Sequence, residues 1–259
     1  MSAVDIKVNA LVSCDDQSFY HLFLPHVKDV WEKRFGISAQ LVLITQDACS
    51  PDFDQGVLKI NPLPGYPLYL QAQLARIYYS KFFPEDINVL SDIDMFPVCV
   101  DFFKADWIRE HCSPSSFLHL NPERREFNQF PLCYYCGYGS LYESLLEGLS
   151  WEGFLASIYS LNINTDNFNY QLPPHLSGKN LWFSDEMFLF SQVQKLNIDI
   201  NGRHPLIGNK RIDREQILNL DYSNLQNGNI VDIHLPRPYH TYHKEIALLS
   251  AALSSSSHD

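Results

Sequence analysis

The sequence predicts an α/β fold in which a single mixed, mostly parallel central sheet is flanked by helices. Strand-like apolar runs alternate with helical patterns over roughly the first hundred residues, as is typical of βαβ units. The 259 residues are 46% hydrophobic, which is sufficient for one sizeable core. We therefore expect one domain over residues 1–253, followed at 254–259 by a flexible polar tail or the start of a linker to further domains of a longer polypeptide.

The first elements follow from apolar runs and the residues that bound them. Residues 8–14 are predicted to form a strand, and residues 17–35 a helix that ends at Gly36, a residue type favoured after helix C-termini. Residues 40–45 and 57–60 are predicted to be the next two strands. In a parallel sheet of this kind a nucleotide binds beyond the carboxyl ends of the strands.

A second helix and strand lead to the most informative motif of the chain. Apolar residues at helical spacing predict a helix over residues 69–83, closed by a turn at 84–86. The apolar run at residues 87–90 then predicts a buried strand that leads directly into Asp92 and Asp94.

Asp92 and Asp94 are expected to present two carboxylates on one face, because side chains alternate along a strand. Such a pair suits Mg²⁺ or Mn²⁺, which bind few protein oxygens and leave positions open for substrate phosphates. The motif thus predicts a metal-bound diphosphate. The alternative is a solvated acidic turn, since short motifs of this kind also arise by chance.

Composition excludes several classes of partner. The formal net charge is −11, which argues against nucleic acid because such binding needs Lys and Arg against the phosphates. No apolar run reaches the ~20 residues needed to span a bilayer, and the N-terminus has no signal-peptide pattern, so we expect a cytoplasmic protein without a membrane span. The six cysteines are scattered and are expected to be reduced core thiols.

Residues 74–79, 83–86 and 89–94, taken in order, resemble the metal-dependent nucleotide-sugar glycosyltransferases of the GT-A fold. The resemblance is greatest to the retaining group that includes glycogenin and bacterial galactosyl- and glucosyltransferases. It implies that Arg76 reaches the sugar donor from its helix, and that Asp92 binds the donor as well as the metal. A guanidinium fork suits phosphate or sugar hydroxyls, although an ordinary exposed helical arginine is the alternative for Arg76.

Residues 184–190 extend this resemblance, because they are similar to the family's acidic motif at the start of a helix. The similarity implies catalytic roles for Asp185 and Glu186, as a base or as stabilisers of the sugar in the transition state. The alternative is structural: Ser184 caps the helix, and the two acidic side chains favour its positive end.

Residues 230–240 are similar to the family's last motif, an apolar strand that delivers a histidine. The resemblance implies that His234 completes the metal site with Asp92 and Asp94. The family's diphosphate-binding Lys is missing, so either His240, at its spacing, or the nearer Arg237 replaces it. A single histidine is more often structural, and His234 therefore depends on its partners.

Other predictions concern the nucleotide and the acceptor. Ser13 and Tyr20 are expected to line the nucleotide pocket, with Tyr20 over the base, although Tyr20 can equally pack on a helix face. The loops around 203–212 and 234–243 are expected to close over the donor. Aromatic side chains that offer flat faces to a sugar acceptor, although most aromatic residues belong to the core, are Tyr134, Tyr135, Tyr138, Trp151, Trp182 and Phe183.

The resemblance implies transfer of galactose or glucose from a UDP-sugar to a hydroxyl of a glycan or other acceptor, with Mn²⁺ or Mg²⁺ and with retention. A haloacid-dehalogenase-type phosphatase is one alternative, but it usually carries Thr or Val two residues beyond its second Asp, where this chain has Phe96. The other alternative is a non-catalytic module that binds carbohydrate or nucleotide-sugar, which the missing Lys makes conceivable.

Overall fold

The computed structural model describes residues 6–17, 19–47, 53–120, 130–160, 181, 183–202, 210–220, 225 and 229–255. The strands are β1 (Val8–Asp15), β2 (Ser38–Ile44), β3 (Val57–Ile60), β4 (Ile87–Leu90), β5 (Met95–Pro97), β6 (Ser116–His119), β7 (Tyr135–Tyr138), β8 (Asp199–Gly202), β9 (Lys210–Ile212) and β10 (Ile230–His234). The α-helices are α1 (Leu24–Asp29), α2 (Leu68–Tyr79), α3 (Val100–Phe103), α4 (Ala105–His111), α5 (Gly139–Leu145), α6 (Trp151–Ser160), α7 (Ser184–Lys195) and α8 (Tyr239–Ser254).

The central sheet has seven strands in the order β3-β2-β1-β4-β7-β6-β8. Its strands run parallel except β7, which is antiparallel to both β4 and β6. Helices α1, α2, α4 and α5 pack against these strands. The predicted α/β class, with a mixed, mostly parallel central sheet flanked by helices, is confirmed.

Strands β1 and β4 occupy the middle of this sheet. The side chains of β4 are all buried, as are those of β1 except for Ser13, which is partly exposed. Such strands are mostly apolar because both faces of a parallel sheet are covered, and the polar residues buried within these two are Asn9, Asp15 and Asn88. The predicted strands at 57–60 and 87–90 have the bounds that the sequence indicates.

A second sheet of three strands has the order β5-β10-β9. Strand β10 is antiparallel to β5 and parallel to β9. Pairing across this sheet sets His234 opposite Met95, and the backbone N–H of Leu235 donates to the Asp94 carbonyl at 2.8 Å. The small sheet therefore brings the end of β10 to the acidic motif that follows β4.

The prediction of one continuous helix over residues 17–35 is wrong. The segment forms a 3₁₀ turn, then α1, then a π turn. Phe19 has a left-handed φ of 58°, so a regular helix cannot run through it. Pro25 lies in the first turn of α1, where its missing N–H is tolerated, and this fixes where α1 begins. Gly36 has a φ of 64°, the left-handed conformation expected after a helix end.

The second predicted helix is confirmed as α2, which tightens into a 3₁₀ turn at Ser80–Phe82. The Ser80 hydroxyl donates to the Arg76 carbonyl at 2.7 Å, an interaction that competes with the regular backbone pattern of a helix. None of the helices in the described part of the chain has the length and apolar character that a membrane span requires.

Gly139, at the start of α5, lies directly against the backbone carbonyls of Ser80 and Phe83, where a Cβ atom would overlap both oxygens. Gly139→Ala is expected to lower the free energy of unfolding by roughly 1–3 kcal/mol, since backbone must move to admit the methyl group. The shift of the urea midpoint measures this effect. Gly153→Ala in α6 is the control, because its nearest neighbour, at 3.2 Å, is the movable Ser150 hydroxyl. Equal urea midpoints for the two variants would contradict the close backbone contact at Gly139.

Candidate functional site

A cavity of about 460 Å³ opens at the carboxyl ends of β1 and β4. The chain passes from β1 to β2 and β3 on one side, and returns to β4 on the other side of β1. Ligands of open α/β sheets bind at such a reversal of strand order. The cavity is lined by residues from β1, α2, the β4–β5 connection, α7 and the end of β10, so separate parts of the chain converge on it.

Arg76, Asp92 and Asp185 form the first group in the cavity, which we call the Arg76 cluster. The Arg76 side chain is buried, and it donates from Nη2 to Asp185 Oδ2 at 3.0 Å. Its Nη1 donates to the Ser91 carbonyl at 2.9 Å and to Asp92 Oδ1. Arg76 is thus the ion-pair partner of both carboxylates rather than an exposed helical arginine.

Two backbone N–H groups add further hydrogen bonds to the cluster. The N–H of Asp92 donates to the Cys133 sulfur at 3.1 Å, and Asp185 Oδ1 accepts the N–H of Glu186 at 2.9 Å. Arg76 Nε is buried and makes no hydrogen bond within the described residues. The Arg76 cluster is therefore rigid, with one unsatisfied donor.

The pKa values of the two carboxyl groups are shifted in opposite directions. Burial raises the pKa of Asp185, and the like charge of Asp92 adds to this despite the Arg76 guanidinium. For Asp92, whose side chain is partly exposed, desolvation acts in the same direction, but the charge and hydrogen bond of Arg76 outweigh it and lower the pKa. Pairs of acids driven apart in this way occur at catalytic centres.

The second group, which we call the Asp94 cluster, consists of Asp94, His234, Arg214 and Arg237. Asp94 Oδ2 lies 2.8 Å from Arg214 Nη2, 3.3 Å from His234 Nε2 and 3.6 Å from Arg237 Nε. The small sheet assembles this group, since Asp94 immediately precedes β5 and His234 ends β10. Arg214 follows β9 and donates from Nε to the Leu235 carbonyl at 3.1 Å.

The predicted strand geometry of the acidic motif is wrong in detail. Strand β4 ends at Leu90, and Asp92 and Asp94 lie in the connection to β5, where the Met95 N–H donates to the Asp92 carbonyl at 3.2 Å. The two carboxylates line one cavity because of this turn, not because of alternation along a strand.

Not all of the residues predicted to bind the nucleotide and diphosphate lie at the cavity. Ser13, Tyr20 and Arg237 line the cavity, whereas His240 lies exposed on α8 and is not among the lining residues. Arg237 contacts the Tyr20 hydroxyl, and its guanidinium lies 5.4 Å from the centre of that ring. Ser13 donates its hydroxyl to the Ala72 carbonyl, which ties β1 to α2.

Of the aromatic candidates for the acceptor, Phe183 lines the cavity. Tyr134 and Tyr135 are fully buried, so their rings belong to the core and the prediction is wrong for them. Tyr138 is largely buried and Trp151 packs against Tyr78. Trp182 lies outside the described residues, as does most of the predicted 203–212 loop.

Ser184 does not cap α7, which corrects the structural alternative for this segment. It is the first residue of the helix, and its hydroxyl donates backwards to the Leu181 carbonyl. Asp185 and Glu186 do lie in the first turn, as predicted, and both line the cavity. At this position the two negative charges interact favourably with the positive end of the helix dipole, and the same side chains also face the cavity.

Arg214 is the site residue that the sequence did not indicate. It contacts Asp94 across 120 positions of the chain, from a 3₁₀ helix whose Asp213–Gln216 capping box signals a helix start but not a site residue. Within the described residues, no group of three or more His, Cys, Asp or Glu side chains gathers as for a metal ion. Asp94 and His234 converge as a pair, while Asp92 is drawn to Arg76.

Comparison with known proteins finds likenesses among solved structures. No protein-family model matches this sequence, and no curated protein sequence matches it. Among solved structures that match is a point variant of Drosophila beta-1,4-galactosyltransferase 7 in complex with manganese, UDP-galactose and xylobiose, with 12% sequence identity and a TM-score of 0.39. The match covers 76% of this chain and 64% of that one, so the chain spans less than two thirds of that protein.

Proposed function

We propose that this chain is a metal-dependent glycosyltransferase that moves a hexose, with galactose or glucose favoured, from a UDP-sugar to a hydroxyl of a glycan or other acceptor, with retention. The observation that carries this proposal is the convergence of Asp92, Asp94, Asp185 and His234 in one cavity at the reversal of strand order. The cavity volume of about 460 Å³ lies within the roughly 300–1,000 Å³ usual for small-molecule sites.

The charges of the cavity support a donor that arrives with a cation. Its lining includes the five carboxylates of Asp15, Asp92, Asp94, Asp185 and Glu186 but only the three guanidiniums of Arg76, Arg214 and Arg237. Such a site repels a bare diphosphate. A divalent cation reverses that balance, because it contributes the largest local charge.

The donor atoms at the Asp94 cluster fit Mg²⁺ or Mn²⁺ in their chemistry. One carboxylate oxygen and one imidazole nitrogen lie 3.3 Å apart. These ions need only one or two protein carboxylates when substrate phosphates complete the coordination. Asp94 and His234 would hold the ion, and Asp92 lines the same cavity. When bound, it would supply positive charge against the departing diphosphate.

The protein's own cations extend this stabilisation. Arg237 is partly exposed, faces the cavity and is pinned against Tyr20, so it is the better replacement for the family's Lys than His240. A guanidinium can bind two phosphate oxygens at once. Tyr20 and Ser13, which line the same cavity, would then contact the nucleoside.

Asp185 suits an electrostatic role beside the reacting sugar. Both of its oxygens are held, one by Arg76 and one by the Glu186 N–H, so its position is fixed. A buried carboxylate of this kind stabilises positive charge that develops on the sugar in the transition state. Glu186, less buried in the same lining, is the carboxylate that a bound acceptor can approach.

The test is NMR-monitored turnover of a panel of nucleotide sugars with Mn²⁺, with and without chelator, following diphosphate release and the anomer of the product. We expect chelator-sensitive consumption of UDP-galactose or UDP-glucose, with retention. Phosphate release from a simple aryl phosphate would favour the phosphatase instead. Binding of UDP-sugar without transfer or hydrolysis, in the presence of an acceptor panel, would favour the non-catalytic module.

Asp185→Asn is expected to lower turnover by roughly 10²-fold while the affinity for UDP changes by no more than about twofold, because its charge acts on the sugar rather than on the diphosphate. Steady-state rates and calorimetric UDP titration measure the two quantities. Asp92 remains as a counter-ion for Arg76 in this variant, so the protein should fold. Unchanged turnover would remove Asp185 from the site.

A further inference from the structure

Arg214 occupies the position that a divalent cation at the Asp94 cluster needs. Its Nη2 donates to Asp94 Oδ2 at 2.8 Å and contacts His234 Nε2. Asp94 Oδ2 and His234 Nε2 themselves lie 3.3 Å apart. The guanidinium therefore satisfies the same carboxylate oxygen and the same imidazole nitrogen that a metal ion would use.

A guanidinium and a divalent cation cannot share these atoms. The lone pair of a neutral imidazole nitrogen serves either an N–H donor or a metal ion, but not both. The Asp94 side chain is only 8% exposed, so little room is left around it for a second cation while Arg214 is in place. Binding of the ion thus requires Arg214 to leave.

The structure also provides a place for Arg214 to go. Its side chain is 26% exposed and lines the cavity, so the guanidinium can turn towards the space where a diphosphate would lie. The bond from Nε to the Leu235 carbonyl retains the stem of the side chain near the site. Arg237 already faces the same space, and two guanidinium forks suit the two phosphates of a nucleoside diphosphate.

We propose that Arg214 is an internal counter-cation that a divalent metal ion displaces, and that the displaced guanidinium then binds the diphosphate of the donor. This inference rests on the proposed function. It makes the metal ion and the donor cooperative, since the ion releases the arginine that the donor uses, and the donor prevents its return.

The test compares Arg214→Gln with the wild type in two binding measurements. Without nucleotide, Mn²⁺ affinity, measured by the electron paramagnetic resonance of free Mn²⁺, is expected to rise about tenfold because the internal competitor is removed. At saturating Mn²⁺, calorimetric UDP affinity is expected to fall about tenfold because a phosphate ligand is lost. A merely structural role would move both affinities in the same direction.

Arg237→Gln is the matched control, because it removes an equal charge 3.6 Å from Asp94. It should raise Mn²⁺ affinity by no more than about threefold, as expected for a charge that does not occupy the ligand atoms. Arg214→Lys keeps the charge without the fork and should give intermediate values in both measurements. It also serves if Arg214→Gln fails to give a cooperative thermal transition.

The outcomes separate this inference from the proposed function. Equal Mn²⁺ affinity in the wild type and the Arg214 variants would overturn the competition and leave the metal-dependent transferase intact. No Mn²⁺ binding by either protein would overturn both. Mn²⁺ affinity that rises without any loss of UDP affinity would overturn the transfer of Arg214 to the diphosphate.

Discussion

Asp94→Asn is expected to reduce Mn²⁺-dependent transfer by roughly 10²- to 10³-fold, the range found when one preorganised charge-stabilising group is removed. Asp94 is the carboxylate on which His234, Arg214 and Arg237 converge. An amide keeps its size but supplies no charge for the ion. The loss should therefore appear in Mn²⁺ affinity as well as in turnover, and Mn²⁺ titration of the rate measures both.

The control for this variant is Asp106→Asn on α4. Asp106 also pairs with an arginine, since Arg109 Nη1 lies 2.7 Å from its Oδ1, but its side chain is 79% exposed and lies outside the cavity lining. Exposed pairs contribute little, so transfer and Mn²⁺ affinity should match the wild type. If Asp94→Asn behaved like Asp106→Asn, the metal would have to be held elsewhere and the proposed reaction would lose its central group.

The sequence indicates a site residue when that residue lies at the end of an apolar strand. Asp92 and Asp94 follow the apolar strand β4, and His234 ends the apolar strand β10. Each lies at a boundary that hydrophobic patterning reveals. Arg237, three residues after His234, is one of the two replacements for the missing Lys that the family resemblance implies, the other being His240. The sequence therefore indicates these residues, although Asp92 and Asp94 lie in a turn rather than on the predicted strand.

The sequence indicates neither that Arg214 is a site residue nor which carboxylates pair with Arg76. The contact between Arg214 and Asp94 depends on the pairing of β9 with β10 and of β10 with β5. Strand pairing between distant segments leaves no local periodicity to read. Similarly, α2 indicates that Arg76 is helical, but only the position of α7 shows that Asp185 is its partner. Long-range ion pairs are properties of the tertiary structure.

The fold shows the same division. Strands β3 and β4 are predicted at their observed bounds, because buried apolar runs flanked by turn residues are unambiguous. The segment 17–35 has a helical composition, yet Phe19 and Pro25 interrupt it, and the conformation that results depends on packing of Trp31 against Phe103 and Tyr134. Tertiary packing therefore overrides the helix propensity of this segment.

Arg76→Met is expected to lower the free energy of unfolding by roughly 3–5 kcal/mol, which is the usual effect of removing one partner from a buried ion pair. For a chain of this length that corresponds to a fall in Tm on the order of 10 °C. The reason is Asp185, whose side chain is only 3% exposed and whose charge Arg76 neutralises. Methionine fills much of the volume but leaves that carboxylate buried without its counter-ion.

Lys195→Met is the control for the loss of a cation. Lys195 pairs with Glu147 at 2.6 Å, but the two side chains are 54% and 45% exposed, so solvent replaces the interaction. Its removal should change the free energy of unfolding by less than about 1 kcal/mol. Comparable losses in the two variants would mean that burial does not determine the strength of the Arg76 pair.

The pH dependence of the Arg76→Met variant identifies the carboxylate responsible. Burial already raises the pKa of Asp185, and removing Arg76 takes away the group that opposes this rise. A carboxyl group whose pKa is higher in the folded protein binds protons more readily there, so its protonation favours the folded state as the pH falls. The stability deficit relative to wild type should therefore be greater at pH 8 than at pH 5.

In the double variant Arg76→Met, Asp185→Asn, the added substitution should remove most of that pH dependence and recover roughly 1–3 kcal/mol, because the buried charge itself is gone. A deficit that is independent of pH and unaffected by Asp185→Asn would place the effect in packing of the α2 side chain rather than in the ion pair.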